Sequence, residues 1–370
     1  MKVLCMVDGL YKNVEEQKEY AMEYAKAFTS EPVAMAEYLD PDPEVDFIKN
    51  IYRLEKNGPE LEPMVPAYSE NLDTEVMAVS FSPVSSAMMD QMKNLHVIGI
   101  SRTGTENVNI KAATERGILV VNAGGRNANA VSDYTIGLML AESRNIARQH
   151  ALMKEGGLTK LYSNNAIIPD MCGKTIGLFG FGYIGKLVAE KLSSFHVNVI
   201  VTDPFVPEEE IEKYHARKVD LETLCRTSDF ISIHARQTPE NFHTFGKAQF
   251  AMMKPTAYFI NTARASMVDY DALIEALKER RIAGAATDVY PKMPLDPDDP
   301  IRKLDNITLS AHLAGSTRDA VINSWKFVFQ RIANAVHEGA LLGVLNPEVL
   351  RSPTFTEWKE RVKADIKQIP

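Results

Sequence analysis

The stretch Thr175-Ile-Gly-Leu-Phe-Gly-Phe-Gly-Tyr-Ile-Gly185 decides how this chain is read. Its glycines fall at Gly180, Gly182 and Gly185, a G-x-G-x-x-G spacing; the apolar run Ile176 to Phe179 leads in and a helical run, Lys186 to Leu192, leads out. Each glycine has a mechanical role, respectively a tight turn, a backbone that lets a pyrophosphate approach, and close packing of helix on strand. The helix start offers unpaired N–H groups and the positive end of its dipole to phosphates. Asp203, eighteen residues past Gly185, ends the next apolar run, Asn198 to Thr202. A carboxylate there can accept hydrogen bonds from an adenosine ribose. The glycine spacing alone is weak evidence; strand, helix and acid together predict a dinucleotide-binding turn rather than a ligand-free glycine turn.

Outward from this turn, strand-like and helix-like runs alternate along almost the whole chain, the pattern of an α/β fold with a mainly parallel sheet. Before it, strands are expected at Lys2–Val7, Val76–Phe81, His96–Ser101 and Leu119–Asn122, with helices at Val14–Ala27 and Val84–Met92. A long amphipathic run, Val131 to Lys154, exceeds an ordinary connection and is expected near a domain boundary. After the turn, strands are expected at Phe230–His234, Tyr258–Asn261, Ala285–Val289 and Ile307–Ser310, with helices at Ala248–Met253 and Tyr270–Lys278 and a long helix from Thr317 to His337. The chain thus reads as a mid-chain dinucleotide-binding domain, residues 122–315, flanked by the two pieces of another domain, residues 1–121 and 316–350. Residues 351–370 form a tail, expected to be peripheral from Ser352.

A length of 370 residues suggests two domains. Hydrophobic residues make up 45% and charged residues 24%, enough apolar surface for sizeable cores. A formal charge of −8 without a basic tract argues against nucleic acid or anionic membranes as partners. Met1 leads straight into an apolar strand rather than a signal peptide. No apolar run approaches the roughly 18 residues that a spanning helix needs. Cys5, Cys172 and Cys225 are scattered, without a C-x-x-C pattern, so a reduced, cytoplasmic chain without a bound metal is expected.

In an open parallel sheet, ligands bind beyond the carboxyl ends of the strands. Three expected strands there lead into polar residues: Tyr258–Asn261 into Thr262-Ala263-Arg264, Ala285–Val289 carrying Asp288, and Ile307–Ser310 into His312. Singly, such an arginine reads as a surface charge and such a histidine as a structural group. At these spacings they point to one crevice shared with the pyrophosphate site. His96, His150, His196, His215, His243 and His337 read as structural or solvated, and none pairs with another at metal-ligand spacing.

At this point the chain resembles the NAD-dependent D-2-hydroxyacid dehydrogenases, a family with phosphoglycerate dehydrogenase-like and formate dehydrogenase-like members. The matching stretches are Arg102-Thr-Gly-Thr-Glu-Asn-Val-Asn109, Gly180–Gly185, Ile260-Asn-Thr-Ala-Arg264 with Val268-Asp269, Ala286-Thr-Asp-Val-Tyr290 and His312-Leu-Ala-Gly-Ser-Thr317. The resemblance implies an α/β architecture of two Rossmann-like domains with parallel doubly wound sheets: a flavodoxin-like substrate domain and an NAD-binding Rossmann domain. It also implies a homodimer. In the catalytic set, Arg264 matches the residue that grips the substrate carboxylate and polarises its carbonyl, and His312 the acid/base. Asp288 matches the aspartate that binds the nicotinamide carboxamide. Tyr183 and Ile184 match the donors of backbone N–H groups to the pyrophosphate. His234, Ala235, Thr262, Ala263 and Gly315 match residues lining the cofactor cleft, with His234 open to an adenosine-contacting or a packing role. Ser80, Phe81 and Ser82 match the substrate loop of the other domain, and Asn127 a position that contacts substrate in some members.

The resemblance breaks at one catalytic position. Five residues past Asp288 the family usually places a glutamate that orients and charges the histidine; here Met293 stands there. A thioether carries no charge and accepts hydrogen bonds weakly. Three readings follow: His312 acts alone; Asp296, Asp298 or Asp299 folds back as its partner; or the chain binds NAD but hardly turns over, as a catalytically weak regulatory or interaction protein. Serines at 80 and 82, where arginines accompany phosphorylated substrates, suggest a small unphosphorylated substrate. Arg236 reads as a surface charge or a cofactor phosphate contact, and Asp203 favours NAD over NADP. The expected activity is hydride transfer at a CH–OH group, interconverting a small 2-oxo acid and a D-2-hydroxy acid, with a formate-like small anion as the alternative.

Overall fold

The computed structural model describes residues 1–8, 14–38, 50, 53–54 and 56–369. The chain divides into two compact units, Met1–Asn127 with Thr317–Pro370, and Ala128–Ser316.

In the first unit, β1 (Val3–Asp8), β2 (Val33–Tyr38), β3 (Val76–Val79), β4 (Val97–Ile100) and β5 (Leu119–Asn122) form a parallel sheet of order β2-β1-β3-β4-β5. Covered on both faces, its central strands read as unbroken apolar runs rather than alternating ones. Phe28, Trp325, Val328, Phe329 and Ile332, from the helices Val14–Phe28 and Arg318–Glu338, fill one side. Tyr68, Val84, Met88, Met89 and Ile118 fill the other. The helix Arg318–Glu338 starts on a Thr317 cap that accepts the Ala320 N–H at 3.1 Å and stops at Gly339, whose φ of 66° suits a left-handed end. From this helix the buried Arg331 donates to the carbonyls of Asn122 and Gly124. Those bonds keep the chain in the first unit past β5, so it passes to the second at Asn127 rather than at the expected Asn122.

The expectation of a peripheral tail fails. Ser352 caps a helix, Pro353–Val362, and Phe355, Trp358, Val362, Ile366 and Ile369 all lie in the core of the first unit. Trp358 donates its indole N–H to Glu75 at 2.9 Å, and Lys367 donates its backbone N–H to the Phe28 carbonyl at 2.7 Å. Phe355, Trp358 and Val362 share one face of this helix, and Ile366 follows it in an antiparallel bridge to Thr29, so a mostly polar segment still presents apolar side chains to the core. Burying Phe355 alone contributes about 2–3 kcal/mol, which holds the segment down.

In the second unit, β6 (Thr175–Phe179), β7 (Asn198–Thr202), β8 (Ala216–Lys218), β9 (Phe230–Ile233), β10 (Tyr258–Asn261), β11 (Gly284–Thr287) and β12 (Ile307–Leu309) form a parallel sheet of order β12-β11-β10-β9-β6-β7-β8. The winding reverses between β6 and β9, and the crevice beyond their carboxyl ends is where such a sheet binds ligands. The run Val131–Lys154 is two helices, Ala128–Ser143 and Ile146–Lys154. They break at Asn145, which has φ 58° and donates its side-chain amide to Asn164 at 2.8 Å. The first helix packs on the sheet through Ile136, Leu138 and Met139, and the second buries none of its residues. At the end of the first, Glu142 is fully buried; it accepts from Arg148 and, at 2.7 Å, from the Thr308 hydroxyl on β12.

Candidate active site

The glycine turn is built as its spacing requires. Gly180 follows β6 with φ +96°, and a Cβ there would stand 2.5 Å from Ala235 Cα and 2.7 Å from the His234 carbonyl carbon. The turn therefore runs flush against the end of β9. A Cβ on Gly185 would run into the Gly180 carbonyl, so the helix Tyr183–Leu192 sits directly on the turn. Gly182 differs: a Cβ there would meet nothing within 4 Å. That open space faces the start of a helix whose first N–H groups no side chain caps. Tyr183 and Ile184 open that helix, and uncapped N–H groups at such a start are the kind of donors that suit an anion. Asp203 stands just past β7, its carboxylate fixed by the backbone N–H groups of Phe181 (2.8 Å), Phe205 (2.8 Å) and Val206 (3.1 Å).

His234, just past β9, is 8% exposed, and neither ring nitrogen has a hydrogen-bond partner among the described residues. Burial pushes its pKa down to about 3, so it is a neutral ring packed behind the turn. Arg236, two residues on, is exposed, and its carbonyl accepts from the Asn241 side chain at 2.7 Å.

The loop after β10 carries Arg264 on a bracket made by Asn261. The Asn261 side chain accepts from the Ala263 N–H at 3.0 Å and donates to the Arg264 carbonyl at 3.0 Å. Thr262 shares a 2.8 Å hydroxyl bond with Thr135, whose own proton goes to the Val131 carbonyl. The Arg264 side chain is exposed and donates to the Ala263 carbonyl at 2.8 Å, with no carboxylate partner among the described residues. Its guanidinium is thus available to an anion.

His312 lies in the loop after β12, exposed at its rim and in the left-handed region with φ 55°. Crowding that strips water from the ring lowers its pKa first, the Arg264 charge lowers it further, and the Asp288 charge raises it. Arg264 and His312 therefore act on one another across neighbouring loops. Asp288, just past β11, is wholly buried; it accepts from the Ser310 hydroxyl (2.6 Å) and from the Leu313 (2.9 Å) and Ala314 (2.8 Å) N–H groups. Gly315 lies in the turn closed by Ser316 N–H on the Leu313 carbonyl at 2.9 Å.

Met293 is half-buried, and its loop brings no replacement acid. Asp296 pairs with Lys292 at 2.8 Å. Asp299 accepts from the Tyr270 hydroxyl at 3.1 Å and caps the following turn at Ile301. No hydrogen bond or ion pair joins Asp296, Asp298 or Asp299 to His312 among the described residues, so the fold-back partner is not present. Sequence reasoning missed the supporting residues Ser310 and Thr135, which no motif marks, and gave no role to Asn261, although it lies in a matching stretch.

Ser80, Phe81, Ser82 and Asn127 belong to the first unit. The three loop residues are buried at that unit's own switch point, between β1 and β3. Asp8 accepts the Phe81 N–H at 2.9 Å, and Asn107 donates to the carbonyls of Ser80 (3.1 Å) and Ser82 (2.8 Å). The Arg102 guanidinium lies 3.3 Å from the centre of the Phe81 ring. Asn127 is half-buried at the last position of the unit's first segment.

Residues 136–314 match the model of the D-isomer specific 2-hydroxyacid dehydrogenase NAD-binding domain. A glyoxylate reductase of Thermofilum pendens is 39% identical over 296 residues, covering 78% of this chain and 83% of that protein. The chain belongs to the D-isomer specific 2-hydroxyacid dehydrogenase family. A D-3-phosphoglycerate dehydrogenase of Archaeoglobus fulgidus is 38% identical over 287 residues, 76% of this chain. The match spans about half of that relative, 54% of its length. Among solved structures, the NAD-dependent formate dehydrogenase of Staphylococcus aureus in complex with NAD is 26% identical. It has a TM-score of 0.65, covering 90% of this chain and 94% of that one. The second unit is thus the family's NAD-binding domain, and NAD is its cofactor. Among the described residues, no helix is long and apolar enough to cross a membrane, and no group of three or more His, Cys, Asp or Glu could hold a metal ion.

Proposed function

We propose that this chain is an NAD-dependent oxidoreductase that interconverts a small unphosphorylated 2-oxo acid and the corresponding D-2-hydroxy acid. The observation behind this reading is the pair Arg264 and His312 on loops at the carboxyl edge of an NAD-binding sheet. NAD, when bound, supplies or accepts the hydride. Arg264 grips the substrate carboxylate through a planar fork and polarises the neighbouring carbonyl, a role suited to a guanidinium without a protein carboxylate. His312, protonated, gives its proton to the carbonyl oxygen as the hydride arrives at carbon, and takes it back in the oxidative direction. Met293 leaves this imidazole without the usual carboxylate, so the histidine works at a lowered rather than a raised pKa.

The test is a panel of glyoxylate, pyruvate and longer 2-oxo acids with NADH, beside formate with NAD. Turnover of at least one oxo acid is expected. Turnover of formate alone would favour the small-anion alternative, and tight NADH binding without any turnover would favour a regulatory protein.

The proposal extends to a homodimer formed through the segment after Asn145. The helix Ile146–Lys154 buries no residue, and Ile146, Met153, Leu158 and Leu161 are 56%, 53%, 77% and 81% exposed. An apolar arm of this kind suits an interface. Light scattering that returns a monomer mass would contradict it.

A further inference from the structure

We infer that Arg236 is a cofactor-binding residue, its guanidinium pairing with the pyrophosphate of bound NAD beside the Gly180–Gly185 turn. The inference deepens the NAD site of the second unit and rests on that turn as the seat of the pyrophosphate. The peptide joining His234 to Ala235 lies against the turn: a Cβ on Gly180 would stand 2.3 Å from the Ala235 nitrogen and 2.5 Å from its Cα. Consecutive Cα atoms are about 3.8 Å apart, which puts the Arg236 Cα at most about 6.3 Å from that Cβ position. The backbone there is pinned. Asn241 donates its side-chain amide to the Arg236 carbonyl at 2.7 Å and accepts the Thr238 N–H at 2.9 Å. The Thr244 hydroxyl in turn donates to the Asn241 carbonyl at 2.9 Å. A fixed backbone thus presents an exposed side chain whose guanidinium has no hydrogen-bond or ion-pair partner among the described residues.

The turn contains no cation of its own. A pyrophosphate brings two negative charges, and Gly180-Phe-Gly-Tyr-Ile-Gly185 meets it with neutral residues only. Asp203, whose carboxylate accepts the Phe181 N–H at 2.8 Å, adds another negative charge close by. The neighbouring lysines are engaged elsewhere: Lys186 and Lys213 both donate to Glu210, and Lys218 donates to the Val206 carbonyl at 2.6 Å. Arg217 lies with Thr175 and Asn198, at the amino ends of β6 and β7 and so at the far edge of the sheet. Arg264 follows β10, one strand further from β6 than β9 is. Arg236 remains as the cation beside the turn. Its planar fork matches two phosphate oxygens, a pairing stronger than a neutral hydrogen bond. The pyrophosphate is favoured over a 2′-phosphate as its partner, because Asp203 repels added charge at the ribose.

The test is calorimetric binding of NADH, ADP-ribose, adenosine and NADPH to the full chain as wild type, Arg236→Ala and Arg236→Lys. Arg236→Ala is expected to weaken NADH and ADP-ribose alike, by about tenfold, as for a lost hydrogen bond to a charged group. Adenosine carries no phosphate and should bind all three proteins equally. Arg236→Lys, which keeps the charge but not the fork, should fall between the other two. The gap between wild type and Arg236→Ala should narrow as salt rises from roughly 0.05 to 0.5 M, since ions screen an exposed charge. The side chain is exposed, so both variants should keep the wild-type unfolding midpoint. Equal NADH affinity in all three proteins would overturn the proposal and leave Arg236 a solvated surface charge. A loss for adenosine as large as that for NADH would move the guanidinium to the adenine ring, and a loss confined to NADPH would move it to the 2′-phosphate; either overturns the proposal. NADH binding that survives Gly182→Val, whose side chain would fill the open space at the turn, would instead unseat the turn as the pyrophosphate site, while the Arg236 variants would still report on the guanidinium.

Discussion

Replacing Arg264 by alanine or His312 by glutamine is expected to lower kcat/KM for oxo-acid reduction by about 10²–10⁴-fold, with NADH affinity nearly unchanged. The two losses should differ in kind. Without Arg264 the substrate carboxylate has no planar partner on this sheet edge, so KM rises and kcat falls together. Without His312 the carbonyl oxygen gains charge with no proton donor, so kcat carries the loss. The pH profile gives the sign. Reduction needs the protonated imidazole, and its pKa is lowered, by desolvation first and by Arg264 next. Activity therefore falls as pH rises through a value below the ordinary histidine pKa of about 6.5. Met293→Glu sets a carboxylate where the family usually has one and should move that limb to higher pH. Identical profiles for wild type and Met293→Glu would contradict the idea that His312 acts without an acid at 293.

Arg148→Met is expected to destabilise the second unit by about 3–5 kcal/mol, because it strands a buried carboxylate. The pair is lopsided: the Glu142 side chain is 1% exposed and that of Arg148 17%. A Cβ on Gly284 would collide with the Glu142 carboxylate and stand 3.1 Å from the Asn306 carbonyl, so the acid is wedged beneath the edge of the sheet. Burial raises the Glu142 pKa, opposed by the attraction of Arg148. The folded state therefore favours the protonated acid more than the unfolded state does. Stability from this group is fully present below the unfolded pKa of about 4.3 and is lost as pH rises through the folded one. Arg148→Met should steepen that loss, whereas Glu142→Gln, which leaves the charge on the more exposed partner, should cost less. Urea unfolding followed by circular dichroism at several pH values measures both. A cost below about 1 kcal/mol for Arg148→Met, typical of a surface pair, would show that the pair is not a buried anchor.

Much of the fold was legible because its signals are local. The glycine turn states its backbone demands at three positions, and buried parallel strands such as Val97–Ile100 and Tyr258–Asn261 are apolar without interruption. Arg264, Asp288 and His312 could be placed together because each follows such a strand. What stayed hidden depends on partners distant in sequence or on weak periodicity. β8, Ala216–Lys218, is a short edge strand carrying Arg217 and Lys218, and no pattern marks it. The break at Asn145 depends on a hydrogen bond to Asn164. The tail spaces Phe355, Trp358 and Val362 along one face of its helix, but the polar residues between them dominate the composition. The hold of Asp288 on the His312 loop is made of backbone N–H groups, which every sequence has, so only the fold reveals it.

Hydride transfer to an oxo acid is followed most simply through the fate of a label. NADH carrying deuterium at both positions of nicotinamide C4 is incubated with this chain and the oxo acid it reduces, and the product is analysed by mass spectrometry and chiral chromatography. Transfer within the site built by Gly180–Gly185, Arg264 and His312 predicts a D-2-hydroxy acid with deuterium on C2, and no such product from Arg264→Ala. An unlabelled product, an L-2-hydroxy acid, or equal yield from the variant would contradict it.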